Sequence, residues 1–143
     1  MKKVVKFGGS SLASAGQMEK VANIIHADET RRFVVPSAPG KRYSDDVKVT
    51  DLLYQCYDAA AAGEDIDGRL EVIKARYQEI IDGLKLKLNL DEEFEVMKDY
   101  FLRQAGRDYA ASRGEYLNGL VIANYLGFKF IDAAEVVLFD ERG

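Results

Sequence analysis

The chain has 143 residues, 48% apolar and 31% charged, with a formal net charge of −4; a chain of this length has room for one real core, burying roughly 70% of its unfolded surface. The acidic balance argues against a nucleic-acid footprint, which needs clustered Lys and Arg; no apolar run approaches the ~20 residues of a membrane span, and MKKVVKFGG is too short in its apolar part for a secretion signal. The single Cys56 makes neither an intramolecular disulfide nor a metal cluster, and by elimination we expect a cytoplasmic protein with no nucleic-acid or membrane partner.

KVVKF, residues 3–7, is short, β-branched and closed by glycines, which predicts a buried strand. ASAGQMEKVANIIHADETRR then sets Met18, Val21, Ala22 and Ile25 at helical spacing behind Ser14 as N-cap. RFVVPSAPG predicts a second strand over 33–35, stopped by Pro36 and followed by a loop of small residues. Strand, helix and strand at this spacing form a βαβ unit and hence a parallel sheet.

The long middle reads as helical. TDLLYQCYDAAAAG repeats apolar positions at Leu52, Leu53, Cys56, Tyr57 and Ala60, and Gly63 can end it. DGRLEVIKARYQEIIDGL aligns Leu70, Ile73, Tyr77 and Ile80 or Ile81 on one stripe. LDEEFEVMKDYFLRQAG opens with Asp91, Glu92 and Glu93, where the helix dipole favours negative charge. SRGEYLNGLVIANYLG predicts a further helix with Leu117, Leu120, Val121 and Tyr125 inward, after which FKFID and EVVLFD return to strand character. His26 has no metal-ligating partner at helical spacing and is expected as an exposed helix residue. Cys56 is expected as a small core hydrophobe, and Tyr54, Tyr57 and Tyr77 as packing residues. The whole predicts one α/β domain with a helix-rich insertion after the second strand. The chain stops at FDERG, just after a strand-like segment, so the domain is expected to be incomplete.

Three short stretches carry chemistry. In KFGGSS a strand runs into Gly8 and Gly9 and then a helix, aiming backbone N–H groups at one point. Glycine permits φ > 0 and the close approach of an anion; Ser10 and Ser11 add hydroxyl donors, and Lys6 can supply a point charge to a phosphate. The lysine precedes the glycines, so this is neither the G-x-x-x-x-G-K-[ST] loop nor G-x-G-x-x-G. Taken alone it fits a tight turn with an exposed lysine equally well. PSAPGK, residues 36–41, also follows a strand, and in a parallel sheet both loops open at the carboxyl edge where ligands bind. SRGE is expected to put Glu115 at a helix start, where the dipole favours its charge and its carboxylate can accept from a ligand ammonium.

In this order KFGGSS, SAPGK, VTDLL and SRGE closely resemble the N-terminal part of the aspartate kinase (aspartokinase) family, within the amino-acid kinase superfamily. The resemblance runs from Val4 to Asp132. It implies a parallel-rich sheet sandwiched between helices. It also implies ATP-dependent phosphorylation of the side-chain carboxylate of L-aspartate to 4-phospho-L-aspartate, the first step towards lysine, threonine and methionine. Mg²⁺ would be bound largely through the phosphates, and no metal-ligating side chain is assigned.

Carried over by position, Lys6 resembles the lysine that stabilises phosphoryl charge, and Gly8, Gly9 and Ser10, with Ser11 beside them, the loop at the transferring phosphate. Ser37 and Thr50 resemble polar contacts to aspartate, and Glu115 the carboxylate that holds its α-amino group. The resemblance makes residues 1–143 the N-terminal portion of a kinase domain. The rest of that domain and the ACT regulatory domains would lie outside the chain, the full-length protein would be a homo-oligomer, and the chain by itself would be inactive. Two alternatives stay open: another amino-acid or carbamate kinase with the same glycine loop, and a non-catalytic module built on the half-domain. Two departures stand out: Pro36 at the end of the second strand, and KRYSDDVKV, longer and more charged than a minimal turn. The latter is expected as a solvated charge run, with a mobile cover as the alternative.

Overall fold

The computed structural model describes residues 1–136. Strands β1 (Lys3–Phe7) and β2 (Arg31–Pro36) pair in parallel, joined by a right-sized crossover through helix α1 (Ala15–His26). Val4 lies opposite Phe33, Val5 opposite Val34, Lys6 opposite Val35 and Phe7 opposite Pro36. Successive strand residues point to opposite faces. Val5, Phe7 and Val34 therefore pack against the core, while Val4, Lys6, Phe33 and Val35 share the other face and are exposed. Pro36 is tolerated because the Ser37 N–H donates to the Phe7 carbonyl, so no ladder bond to β1 is asked of the Pro36 nitrogen.

The Ser14 side chain caps α1 by accepting from the Gln17 N–H at 3.3 Å, and Met18, Val21, Ala22 and Ile25 are its buried stripe. His26 closes the helix in solvent. Strand β2 begins two residues before the predicted 33–35, at Arg31, because the turn ahead of it is pinned. Asp28 accepts from the Thr30 N–H and hydroxyl and pairs with Lys3 at 2.7 Å. The Lys3 N–H in turn donates to the Thr30 carbonyl.

Helices α2 (Val49–Ala61), α3 (Asp67–Gly83), α4 (Asp91–Leu102) and α5 (Arg107–Leu126) build the core beside the sheet. Gly63, at φ 77°, ends α2, and Asp91, Glu92 and Glu93 occupy the first turn of α4. Cys56, Tyr57, Ile73, Tyr77, Phe94 and Phe101 are buried together, with Tyr57 and Phe101 edge to face at 5.7 Å. Burial pushes the Cys56 thiol up to about 11, as expected of a core thiol. Half-buried Leu120 and Tyr125 accompany fully buried Leu117 and Val121 on α5, which packs on β2. The result is an α/β fold whose parallel sheet is flanked by helices.

Three expectations need correction. Strand β1 is not buried: Lys3, Val4 and Lys6 are exposed and Val5 and Phe7 only half-buried, because among the described residues helices cover a single face of the two-stranded sheet. Helix α5 starts at Arg107, directly after Gly106 at φ 130°, and not near Ser112. The segment FKFID forms no strand. Phe130 instead lies over α5, edge to face with Tyr116 at 5.6 Å and so close to Gly119 that a Cβ there would sit 2.8 Å from the ring. An apolar face that finds a helix surface has no need of a sheet edge. Of EVVLFD, Glu135 and Val136 fall in the short helix α6 (Ala133–Val136), and the remainder lies outside the described residues. Among the described residues no helix is long and apolar enough to cross a membrane.

Candidate functional site

The glycine stretch leaves β1 through Gly8, whose backbone is extended at φ −76°, and coils into a 3-10 turn over Gly9–Leu12. Neither Gly8 nor Gly9 uses a positive φ, so that part of the expectation is not what glycine does here. Close approach is. A Cβ on Gly9 would stand 2.9 Å from the Ala38 carbonyl oxygen and 3.1 Å from the Gly40 Cα. A Cβ on Gly40 would stand 2.6 Å from the Gly9 carbonyl carbon, and the Gly40 N–H donates to the Gly9 carbonyl at 2.8 Å. The two loops thus touch backbone to backbone, which side chains would forbid. Gly8 differs, since nothing lies within 4 Å of the Cβ it lacks. That side of the Gly8 backbone is open.

The remaining predicted residues gather around this contact. The Ser37 N–H donates to the Phe7 carbonyl, extending the sheet ladder by one bond, and its carbonyl accepts from Asn118 Nδ2 at 2.7 Å. The Val49 N–H donates to the Pro39 carbonyl, which seats the first turn of α2, with Thr50, against the loop. From α5, Gly114 approaches the same loop so closely that a Cβ there would lie 2.7 Å from the Ala38 Cβ. Buried Tyr77 donates its hydroxyl to the Gly114 carbonyl at 2.8 Å. KFGGSS, SAPGK, VTDLL and SRGE, far apart in sequence, are therefore neighbours.

Glu115 corrects an expectation. It sits well inside α5 and not in its first turn, where Asp108 is the acid. A dipole effect fades within the first turn, so what fixes Glu115 is the packing of Gly114 beside it. Its side chain is exposed, as are Lys6 and Ser10, while Ser11, Ser37 and Thr50 are half-buried. Lys6 extends from the open face of the sheet. A cleft of about 480 Å³ between the start of α1 and Lys41 is bordered by Ser10, Gln17, Lys20, Asn23 and Arg42. Of the predicted site residues only Ser10 reaches it. Among the described residues no group of three or more His, Cys, Asp or Glu side chains is disposed to hold a metal ion.

The charged run KRYSDDVKV is not simply solvated. Asp46 accepts from the Arg42 N–H, Nε and Nη2, and Arg42 also pairs with Glu79 of α3 at 3.0 Å. The Arg42 side chain holds the Asp46 carboxyl far below the usual range despite its burial, and Asp46 raises Arg42 in return. Behind them lies Arg76, only 6% exposed, donating to the Gly40 carbonyl at 2.8 Å and the Val47 carbonyl at 2.7 Å. Sequence reasoning missed Arg76 and Asn118. A signal existed, because each polar residue falls on a buried helical stripe, Arg76 with Ile73, Tyr77 and Ile80, Asn118 with Gly114, Val121 and Ile122. Buried polar residues need partners. Asn118 Oδ1 finds none among the described residues.

Comparison with known proteins finds likeness along nearly the whole chain. The amino acid kinase family pattern matches residues 1–142. The chain is 39% identical over 142 residues to aspartokinase 3 of Bacillus subtilis (strain 168), across 94% of this chain and 31% of that protein. It is 31% identical over 149 aligned positions to the chloroplastic aspartokinase 1 of Arabidopsis thaliana, across 96% of this chain and 25% of that one. Among solved structures, Clostridium acetobutylicum aspartate kinase superposes with a TM-score of 0.92 at 48% identity, covering 98% of this chain and 32% of its own. E. coli aspartokinase III, solved in complex with aspartate and ADP, superposes with a TM-score of 0.69 at 25% identity, over 89% of this chain and 29% of its own. The chain thus spans about a third or less of these relatives, but the family pattern covers it almost end to end, and the chain belongs to the amino acid kinase family.

Proposed function

We propose that the full-length protein transfers the γ-phosphoryl group of ATP to the side-chain carboxylate of L-aspartate. The observation that carries this reading is the contact between Gly9 and Gly40, which joins a phosphate-type loop to the loop bearing Ser37, with Thr50 and Glu115 alongside. Likeness to aspartokinases supports it, one of them solved with aspartate and ADP. So does the chemistry of the groups present. Bare backbone at Gly8, the hydroxyls of Ser10 and Ser11 and the ammonium of Lys6 suit phosphate oxygens. When bound through those phosphates, Mg²⁺ would supply further charge neutralisation.

Phosphoryl transfer asks a protein for positioning and electrostatic stabilisation more than for covalent chemistry. A carboxylate acceptor is already ionised near neutral pH, so no general base is needed. Two anions must be brought together. Lys6 offsets the charge on the phosphoryl side, and Glu115 orients the acceptor through its ammonium end.

The test is aspartate-dependent ADP release by the full-length protein, with other amino acids and carbamate as competing acceptors. Turnover with another acceptor and none with aspartate would give the reaction to a different member of the family. Lys6→Ala is expected to lower kcat on the order of 10²–10³-fold with a smaller effect on the KM for aspartate; a kcat within a few-fold of wild type removes Lys6 from the site. Glu115→Gln is expected to weaken aspartate by roughly 1.5–3 kcal/mol, read as its KM. A rise in the KM for ATP alone would show that Glu115 is not the partner of the amino group.

A further inference from the structure

We propose that Arg76 is a positioning residue that sets the span of the acceptor loop, and with it the placement of Ser37 and Thr50. The inference rests on the functional reading above for its substrate but on geometry for its mechanism. Arg76 belongs to α3, which holds none of the residues assigned to substrate. It nonetheless reaches under the loop with both arms of its guanidinium. Nη2 donates to the Gly40 carbonyl and Nη1 to the Val47 carbonyl, the two residues that bracket the charged segment 41–46.

What lies just beyond each bracket makes the placement consequential. Gly40 is the residue locked against Gly9. Two residues past Val47, the Val49 N–H closes on the Pro39 carbonyl and α2 begins, with Thr50 in its first turn. A planar fork fixes the distance and the relative orientation of the two carbonyls it binds. A lysine ammonium in the same place has the charge but not the fork.

A buried guanidinium is costly and persists only where it is well partnered. Here Asp46, its side chain 7% exposed, lies 3.5 Å away as counter-charge and is itself held in place by Arg42. The next residue on α3, Tyr77, grips the Gly114 carbonyl beside Glu115. One turn of α3 therefore holds the acceptor loop and the Glu115 segment at a fixed separation, and Arg76 is the part of it that acts on the loop.

The experiment uses the full-length protein with Arg76→Met and Arg76→Lys, read by amide hydrogen exchange and by steady-state kinetics. In Arg76→Met the Gly40 and Val49 amides are expected to lose protection by about tenfold or more, while those of Leu117 and Val121 in α5 keep theirs. The KM for the acceptor is expected to rise about tenfold or more, as for the loss of charged hydrogen bonds, with the KM for ATP within twofold. Arg76→Lys should recover less than half of either change. Unchanged protection at Gly40 and Val49, or equal rises in both KM values, overturns the proposal. If Arg76→Met does not fold, Asp46→Asn removes the counter-charge at constant shape and must move the same two readouts in the same direction; if it moves neither, the proposal fails. Exchange needs no substrate, so it decides the role of Arg76 even where the protein turns over an acceptor other than aspartate or none at all.

Discussion

Gly8 and Gly9 are neighbours in sequence, and a methyl group added to each meets a different environment. At Gly8 it meets open space on a backbone that alanine adopts freely. At Gly9 it meets the Ala38 carbonyl and the Gly40 backbone, neither of which can rotate away as a side chain would. Gly8→Ala should therefore leave stability within about 0.5 kcal/mol of wild type, and any fall in kcat or rise in the KM for ATP reports an obstructed ligand. Gly9→Ala should cost about 1–3 kcal/mol as an overpacked contact. Urea unfolding of both variants checks this, and equal stabilities for the pair would contradict the backbone-to-backbone contact. Lys6 makes a related point. It stands in solvent on the sheet face that it shares with Val4, Phe33 and Val35, where a charge acts through a high dielectric. Any layer laid over that apolar face would strengthen its field several-fold.

At the scale of elements, α3 is the frame and the segment 41–48 is what it holds. Asp46 joins the two, which gives the network a definite pH dependence. The Arg42 hydrogen bonds lower its folded pKa beneath the unfolded value of about 3.9. A depressed carboxylate contributes stability that is fully present above the unfolded pKa and is lost as pH falls through the folded one. The stability difference between wild type and Asp46→Asn should thus be flat from pH 8 to about 5 and shrink below about pH 4. Chemical denaturation at stepped pH measures it; a difference that fades between pH 8 and 6 would place the titration on another group. Helices α1 to α4 were legible in the sequence because apolar stripes, the Ser14 cap, Gly63 and the acids of α4 are local signals. The start of α5 was not, because Arg107 to Ala111 offers little apolar period, and Glu115 was accordingly misread as a first-turn residue. FKFID has strand-like composition, but its fate was decided by the bare helix surface at Gly119. The motif residues were named from sequence as candidates, whereas for Arg76 and Asn118 a polar residue on a buried helical stripe signals only that a partner is needed, and not which one, since the partners are 36 and 81 residues away.

At the scale of the whole molecule those separations have a consequence for the order in which the chain assembles. The bonds that build the site, Arg76 to Gly40, Tyr77 to Gly114 and Asn118 to Ser37, span 36, 37 and 81 residues. The helices they connect form from contacts a turn apart. Closing long loops costs entropy before the contact returns anything, so the site should be completed after the folding transition state, on a scaffold already largely built. Asn118→Ala tests this, because it removes the longest of these bonds from a fully buried position. With a loss of about 1 kcal/mol, the unfolding rate should rise about fivefold and the folding rate change by less than about 1.5-fold. Stopped-flow refolding and unfolding would show it; a slowed folding limb would put the Ser37 loop inside the nucleus. A site finished last is also one that opens first, with the helical scaffold intact beneath it.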